Sequence, residues 1–190
     1  MNISTNYSPD FGAKFIKKTS LLKQIENIKS YKEELVSCIK IDTQNESDIK
    51  ALENIANYWI DSHFATDIYY AAKEIQNGNK YYNNNKIFAI TKQKENFENL
   101  NPDNILGLMH VSPAGDKALF IERIEADPSI IFKQNREYKG IGTALLNYLK
   151  TITNKITCNP SNTKTVKKFY YNNGFVEYPP HPNTFTWYNA

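Results

Sequence analysis

The most informative segment of the sequence is EYKGIGTALL, residues 137–146, which lies between a predicted strand and a predicted amphipathic helix. Gly140 and Gly142 stand where this helix begins, and a residue without a Cβ lets the backbone approach a bound group closely. The first N–H groups of a helix and the positive end of its dipole favour an anion such as a pyrophosphate. The hydroxyl of Thr143 can add a contact. The stretch therefore predicts an anion-binding turn.

Two glycines at a helix start do not by themselves identify a class of protein, because a glycine can simply ease the start of a helix. A Rossmann dinucleotide site requires a third small residue where this chain has Leu145, and it would come early in the chain. A P-loop requires a Gly-Lys-Ser/Thr triplet, which does not follow here. The turn therefore fits neither of these nucleotide-binding classes.

Two further segments give the turn its context. The segment VKKFYYNNGF, residues 166–175, is typical of a short helix that ends at a glycine and leads into a strand. The segment FIERIEADP, residues 120–128, is typical of a strand that precedes the turn. The order along the chain is strand, glycine turn with helix, and then the second helix with its terminal Gly-Phe.

In this order the three segments resemble the GNAT superfamily of N-acetyltransferases, over residues 34 to 188. That superfamily has a G-x-G turn at the start of a central helix, followed later by a helix that ends Phe-Tyr-x-x-x-Gly-Phe. This chain matches the second pattern at Phe169, Tyr170, Gly174 and Phe175. Residues 120–126 look like the superfamily's fourth strand.

The resemblance implies that acetyl-coenzyme A inserts between the fourth and fifth strands, which splay apart. Backbone groups of the fourth strand would hold the pantetheine arm, and the glycine turn would hold the pyrophosphate. No metal is expected. The implied cofactor-binding residues are Ile124, Glu125, Ala126, Arg136, Tyr138, Lys139, Gly140, Ile141, Gly142, Thr143 and Ala144.

Two residues are implied to be catalytic. Tyr170 matches the tyrosine that often acts as general acid toward the leaving thiolate, and Tyr171 would replace it if the helix were rotated by one residue. Glu122 lies on the fourth strand, where a carboxylate could serve as base directly or through water. Alternative roles stay open for both residues. Tyr170 could be an aromatic residue that only packs, and Glu122 could lie on a solvated face of the strand.

The chain departs from the superfamily pattern near the turn. Glu137 occupies a position where members usually carry Gln or Arg, so we expect it to turn outward and Arg136 to substitute. The usual asparagine seven residues before the tyrosine is replaced by Thr163, with Asn162 adjacent. The stretch 128–140 is also longer than usual, which predicts a looped excursion beside the cofactor.

Hydrophobic periodicity and the order of the elements predict a mixed sheet with helices on both faces. Together with the resemblance, this predicts a GNAT-like α/β (α+β) protein whose seven-strand sheet is mostly antiparallel. Residues 1–31 are interpreted as a polar N-terminal arm with one short amphipathic piece, and residues 32–190 as the acetyltransferase domain. The predicted strands are 34–41, 86–92, 105–111, 117–126, 155–158, 175–178 and 184–188; the predicted helices are 49–60, 67–76, 140–153 and 162–172.

Composition narrows the remaining classes. A hydrophobic fraction of 41% fits a globular protein, and no apolar run or signal peptide is evident, so we expect a cytoplasmic protein with no membrane partner. Cys38 and Cys158 form no C-x-x-C pair, and the three histidines have no zinc spacing. A net charge of +3 with only two arginines argues against a nucleic-acid reader.

The sequence thus predicts an N-acetyltransferase that transfers an acetyl group from acetyl-CoA to a primary amine by direct attack. The acceptor could be a small amine, an antibiotic, a protein amine or a charged tRNA, and a homodimer is also open. The alternative function is a weakly active or inactive module of the same fold that binds acyl-CoA as a sensor or scaffold. An unrelated interaction protein would not bind coenzyme A.

Overall fold

The computed structural model describes residues 12–25, 30–59, 63–131, 137–179, 181 and 183–189. The described part contains nine strands and five α-helices, with 3₁₀ turns at Lys80–Tyr82 and Pro102–Asn104. The strands are β1 (Lys14–Gln24), β2 (Tyr31–Lys40), β3 (Lys86–Thr91), β4 (Ile105–Pro113), β5 (Ala118–Ala126), β6 (Tyr138–Lys139), β7 (Lys155–Cys158), β8 (Val176–Glu177) and β9 (Phe185–Tyr188). The helices are α1 (Glu46–Tyr58), α2 (His63–Gln76), α3 (Pro128–Ile131), α4 (Ile141–Ile152) and α5 (Lys164–Asn172).

All nine strands lie in one sheet, in the order β6-β1-β2-β3-β4-β5-β7-β9-β8. Every neighbouring pair is antiparallel except β5 and β7, which are parallel. The prediction of a mixed, mostly antiparallel sheet is therefore confirmed, whereas the predicted number of seven strands is wrong. The two additional strands are β1 and β6.

Strand β1 lies where the sequence was interpreted as a polar arm. It pairs with β2 along its length, from Lys14↔Lys40 to Gln24↔Tyr31. Its residues are mostly polar, and Leu21 is its only fully buried side chain. Lysines on a strand near a sheet edge discourage pairing with other chains, so a polar strand is physically reasonable here. The same polarity hides the strand from hydrophobic periodicity.

The helices cover both faces of the sheet, as predicted. On one face, α4 and α5 pack over a core that includes Val36, Phe88 and Leu145. On the other face, α1 and α2 pack over a core that includes Ile39 and Ile87. Neighbouring residues of β2 and β3 alternate between the two cores, which is the period of two of a strand buried on both faces. None of the helices in the described ranges has the length and hydrophobicity needed to cross a membrane.

Gly107 on β4 permits the close approach of α4 to the sheet. A Cβ at this position would lie 2.4 Å from Cγ2 of Ile141 and 3.0 Å from the carbonyl oxygen of Glu125. Ile141 is the first residue of α4. The absence of a side chain at Gly107 therefore lets the first residue of α4 pack directly against β4.

We expect Gly107→Ala to lower the free energy of unfolding by about 1–3 kcal/mol, because the added methyl group overpacks this contact. Urea denaturation followed by circular dichroism measures the change. The double variant with Ile141→Ala removes one of the clashing groups, so the two substitutions should be less than additive in a double-mutant cycle. Strict additivity would show that the contact with Ile141 does not limit position 107.

Asp48 in the first turn of α1 is a buried carboxyl. Its Oδ2 accepts a hydrogen bond from the N–H of Asp42 at 2.9 Å, and its Oδ1 has no hydrogen-bond partner among the described residues. Burial raises the pKa of Asp48 from 3.8 to about 7. The folded chain thus holds this proton more tightly than the unfolded chain does. The group's contribution to stability is present below pH 3.8 and is lost as the pH rises toward 7.

We therefore expect Asp48→Asn to stabilise the protein by about 1–3 kcal/mol at pH 8 and to have little effect near pH 4. Urea midpoints of the wild type and the variant, measured at both pH values, test this. An equal effect at both pH values would contradict a raised pKa.

Candidate active site

A cleft opens where β5 and β7 part. The two strands pair only from Ala118↔Lys155 to Ile121↔Cys158. Strand β7 ends at Cys158, whereas β5 continues to Ala126. Beyond Ile121 the two strands separate around a cleft of about 420 Å³. The separation of the two strands was expected from the resemblance.

The start of α4 forms one end of this cleft. Gly140 is the N-cap residue and has φ 93°, a left-handed conformation that glycine adopts without strain. The first backbone hydrogen bond of the helix runs from the N–H of Ala144 to the carbonyl of Gly140, at 2.8 Å. The N–H groups of residues 141–143 precede this bond, so they have no partner within the helix. They are available to an anion.

Strand β1 holds the turn from the other side. Leu22 pairs with Lys139, and the N–H of Gln24 donates to the carbonyl of Glu137 at 2.8 Å. The buried Tyr138 donates its hydroxyl hydrogen to Oε1 of Glu34 at 3.0 Å. Oε2 of the same carboxylate lies 3.1 Å from Nζ of Lys23. These bonds fix the backbone immediately before Gly140.

Gly142 faces helix α5 across the cleft. A Cβ at this position would lie 3.0 Å from Cζ and 3.2 Å from Cε2 of Phe169. Both residues line the cleft. The second glycine of the turn therefore lets the Phe169 ring pack against the first turn of α4.

Tyr170 also lines the cleft, and only 4% of its surface is exposed. Its ring packs against Phe169, Phe175 and Phe185, with centroid distances of 5.0–5.7 Å. Burial, together with the neighbouring thiol of Cys158, raises the pKa of the Tyr170 hydroxyl well above its usual value. The hydroxyl therefore keeps its proton throughout the physiological range.

Tyr171 is oriented differently. Its side chain is exposed, and its hydroxyl donates to Oε2 of Glu177 at 3.1 Å, outside the cleft. Of the two tyrosines, the structure places Tyr170 in the cleft.

Glu122 is the extra residue of a β-bulge in β5. The register passes from His110↔Arg123 directly to Val111↔Ile121, so no residue of β4 stands opposite Glu122 in the register. Bulges often redirect a side chain next to a functional site. The Oγ of Ser112 donates to Oε1 of Glu122 at 2.6 Å. Glu122 lines both the cleft and a second cavity.

The second cavity has a volume of about 750 Å³ and will be called the polar cavity. Nε of Arg123 forms an ion pair with Oδ2 of Asp67 at 2.7 Å, and its guanidinium lies 5.4 Å from the ring centroid of Phe64. Arg123 therefore joins α2 to β5 between the two openings. The lining residues are Asp67, Tyr70, Ala71, Tyr81, Tyr82, Asn83, Asn84, Asn85, His110, Ser112, Pro113, Glu122 and Arg123.

His110 is the buried imidazole of the polar cavity. Burial lowers its pKa to about 4, so the ring is neutral at pH 7. Its Nε2 lies 3.1 Å from Nδ2 of Asn85, and Tyr82 stacks on the ring with centroids 6.4 Å apart. Across the described residues, no three His, Cys, Asp or Glu side chains come together as they would around a metal ion.

Most residues that the sequence suggested for the site surround the same cleft. Arg136 lies outside the described residues, so its suggested role stays a prediction. Thr143 belongs to the first turn of α4 but does not line the cleft, and Ala144 is buried in the core with its N–H bonded to Gly140. The side chain of Ala144 therefore cannot contact a ligand in the cleft. The suggested residues that line the cleft are Glu122, Ile124, Glu125, Ala126, Tyr138, Lys139, Gly140, Ile141, Gly142 and Tyr170.

Two departures from the superfamily pattern now have a structural account. Glu137 is exposed and lines a separate cavity with Trp59 and Asp127, so it turns away from the cleft as expected. Thr163 caps α5, accepting a hydrogen bond from the N–H of Val166 at 3.3 Å. Its hydroxyl therefore supports the helix that carries Tyr170.

Sequence reasoning missed three features of the site. Strand β1 anchors the turn, Cys158 contacts the Tyr170 hydroxyl, and the polar cavity adjoins Glu122. Burial raises the pKa of the Cys158 thiol to about 12, so it is not a nucleophile at pH 7. The polar cavity had no sequence signal for two reasons. No glycine or proline marks the bulge at Glu122, and the residues that line the cavity come from segments distant in sequence.

Several solved structures are similar to this chain in architecture. A GNAT-family protein from Desulfovibrio desulfuricans is 12% identical to this chain, with a TM-score of 0.54. The match covers 82% of this chain and 99% of the Desulfovibrio chain. A GNAT-family acetyltransferase from Staphylococcus aureus Mu50 is 15% identical, with a TM-score of 0.51 and coverages of 80% and 98%. The PaiA N-acetyltransferase from Thermoplasma acidophilum, solved in complex with coenzyme A, is 13% identical, with a TM-score of 0.52 and coverages of 80% and 96%. No family model and no curated protein matches the chain. At these identities the likeness establishes the fold: this chain has the fold of the GNAT acetyltransferases.

Proposed function

We propose that the protein is an acyl-CoA-dependent N-acyltransferase that transfers an acetyl group to a primary amine by direct attack. The observation that carries the proposal is the arrangement around the β5–β7 cleft. One cleft joins the free N–H groups of a helix start, a buried protonated tyrosine and a carboxylate that also faces a second cavity. Together these elements can hold an acyl donor, protonate its leaving group and accept a proton from an acceptor amine, as a two-substrate acyl transfer does.

The cleft fits coenzyme A chemically. Backbone N–H groups at residues 141–143 and the positive end of the α4 dipole suit a pyrophosphate. The adjoining walls include Ile124, Val166 and Phe169, which suit the methylene and dimethyl groups of the pantetheine arm. The bound acyl-CoA supplies an activated thioester. The Thermoplasma acidophilum protein of the same fold was solved with coenzyme A, which supports this assignment.

The hydroxyl of Tyr170 carries a proton at the end of the cleft where β5 and β7 separate. A hydroxyl whose pKa is raised stays protonated over the working pH range, so it can donate to a departing thiolate. Cys158 occupies a position beside this hydroxyl and helps to orient it. In this proposal Tyr170 stabilises the leaving group.

Glu122 is assigned to the acceptor. Its carboxylate reaches both openings, and one oxygen is engaged by Ser112 at 2.6 Å. A carboxylate at this junction can bind an ammonium group from the polar cavity and accept its proton, directly or through water. The free amine then attacks the thioester carbon.

Calorimetric titration with acetyl-CoA, followed by a thiol-release assay against a panel of amines, tests the proposal. We expect micromolar binding of acetyl-CoA and amine-dependent release of coenzyme A. Absence of acetyl-CoA binding would overturn the proposed function. Binding without turnover on any amine would favour the alternative, a module that senses or displays acyl-CoA. The outward orientation of Glu137 weakens one reason for that alternative, since its carboxylate does not oppose the pyrophosphate.

A further inference from the structure

The polar cavity is lined almost entirely by hydrogen-bonding groups. Of the described residues that line it, only Ala71 and Pro113 lack a polar side chain. An apolar amine placed here would leave the surrounding amide, hydroxyl and carboxylate groups without water or a partner, which costs free energy. The cavity therefore favours a hydrophilic ligand over an arylalkylamine.

The charges of the cavity favour a single ammonium group. The described residues supply two lining carboxylates, and the 2.7 Å ion pair with Arg123 already compensates Asp67. His110 is neutral at pH 7 because burial lowers its pKa to about 4. Among the described lining residues, this leaves Glu122 as the carboxylate without a cationic partner. A polyamine carries several ammonium groups and would need further uncompensated carboxylates, so it is disfavoured.

The rim of the cavity presents aromatic surfaces. Tyr70 is 62% exposed and Tyr81 is 78% exposed, which is high for large side chains. Such rings offer rigid contact area together with a hydroxyl. Asn83 and Asn84 lie in the turn after Tyr82 and add amide donors and acceptors to the lining. A ligand with an apolar ring face and several hydroxyl groups would use both kinds of group.

Resting on the proposed function, we infer that the acceptor is a small hydroxylated amine with one ammonium group, an amino sugar in chemical class. Its amine would lie at Glu122, its hydroxyl groups against the asparagines, and one ring face against Tyr81, the more exposed of the two rim tyrosines. Glu122 accepts one proton from the ammonium group, directly or through water, and the free amine attacks the acyl carbon. The amide bond forms as the thioester C–S bond breaks. The thiolate takes a proton from Tyr170 and leaves as coenzyme A, and the second proton lost by the amine replaces the one that Tyr170 gave.

The test compares three amines under identical conditions: glucosamine, spermidine and phenylethylamine. Acetyl-CoA affinity is measured first by calorimetry, and kcat/KM for each amine then by thiol release. We expect glucosamine to exceed both other amines by about tenfold or more in kcat/KM, the size of one or two hydrogen bonds. A higher kcat/KM for spermidine or phenylethylamine, or equal values for all three, would overturn the inference.

Tyr81→Ala tests the assignment at the residue level, with Tyr58→Ala as matched control because Tyr58 is also exposed but does not line the polar cavity. We expect Tyr81→Ala to raise KM for glucosamine about five- to tenfold, with kcat and acetyl-CoA affinity nearly unchanged. An unchanged KM would remove Tyr81 from the acceptor site and contradict the inference. If the wild-type protein does not bind acetyl-CoA, both the proposed function and this inference are overturned. If it binds acetyl-CoA but shows no preference for glucosamine, only this inference is overturned.

Discussion

Replacing Tyr170 with Phe is expected to lower kcat about 100-fold while the affinity for acetyl-CoA changes less than about threefold. The substitution removes one hydroxyl from the cleft and keeps the ring that packs against Phe175 and Phe185. In the proposed reaction the departing thiolate then loses its proton donor, and a hydrogen bond to a charged group contributes about 1.5–3 kcal/mol. Steady-state kinetics give kcat, and calorimetry gives the dissociation constant.

Tyr171→Phe is the matched control for this experiment. It removes the same atom from the next residue, where the hydroxyl is bonded to Glu177 outside the cleft. We expect its kcat to stay within about twofold of the wild type. A loss of kcat in Tyr171→Phe and none in Tyr170→Phe would show that the catalytic tyrosine had been assigned to the wrong residue.

The pH dependence gives a second test of Tyr170. Burial raises the pKa of its hydroxyl, so the acid form persists above the range in which an ordinary tyrosine ionises. We therefore expect no decline of kcat caused by this group between pH 7 and about 9.5. A decline in the wild type that is absent in Tyr170→Phe would contradict the raised pKa.

The sequence predicted the parts of this fold whose signals are local. The turn at residues 137–146 and the Phe-Tyr…Gly-Phe segment were identified because glycines at a helix start and a helix end have conformational reasons to be there. Hydrophobic periodicity placed α4 and the buried strands β3 and β4 because their faces lie in a core. These features depend on residues close together in the chain.

The features that sequence reasoning missed depend on how separate segments of the chain pair or pack. Strand β1 has few apolar side chains and is a strand because it pairs with β2 and β6. The bulge that frees Glu122 appears only in the register between β4 and β5. The partnership of Tyr138 with Glu34 spans 104 positions. Propensity and periodicity carry no information about such pairs, so only the folded chain reveals them.

Replacing Gly142 with Glu is expected to weaken acetyl-CoA binding by about 100-fold or more. The new side chain meets the Phe169 ring, since even a Cβ lies 3.0 Å from Cζ. Its carboxylate would also stand in the first turn of α4, where the pyrophosphate is proposed to bind. Two like charges about 5 Å apart repel by roughly 1–3 kcal/mol at dielectric constants between those of bulk water and a protein surface.

Two control variants separate the steric effect from the charge effect. Gly142→Ala adds the contact with Phe169 without a charge, and we expect it to cost about 1 kcal/mol of stability with a small loss of affinity. Thr143→Glu adds the charge one residue later, on a side chain that is only half-buried. An acidic residue in the first turn of a helix stabilises it by about 0.3–1 kcal/mol, so this variant should fold while binding acetyl-CoA about tenfold more weakly. Wild-type affinity in both glutamate variants would show that the start of α4 does not hold the pyrophosphate. Weaker binding in the stable Thr143→Glu protein would locate the anion at the start of α4, independently of any change in folding.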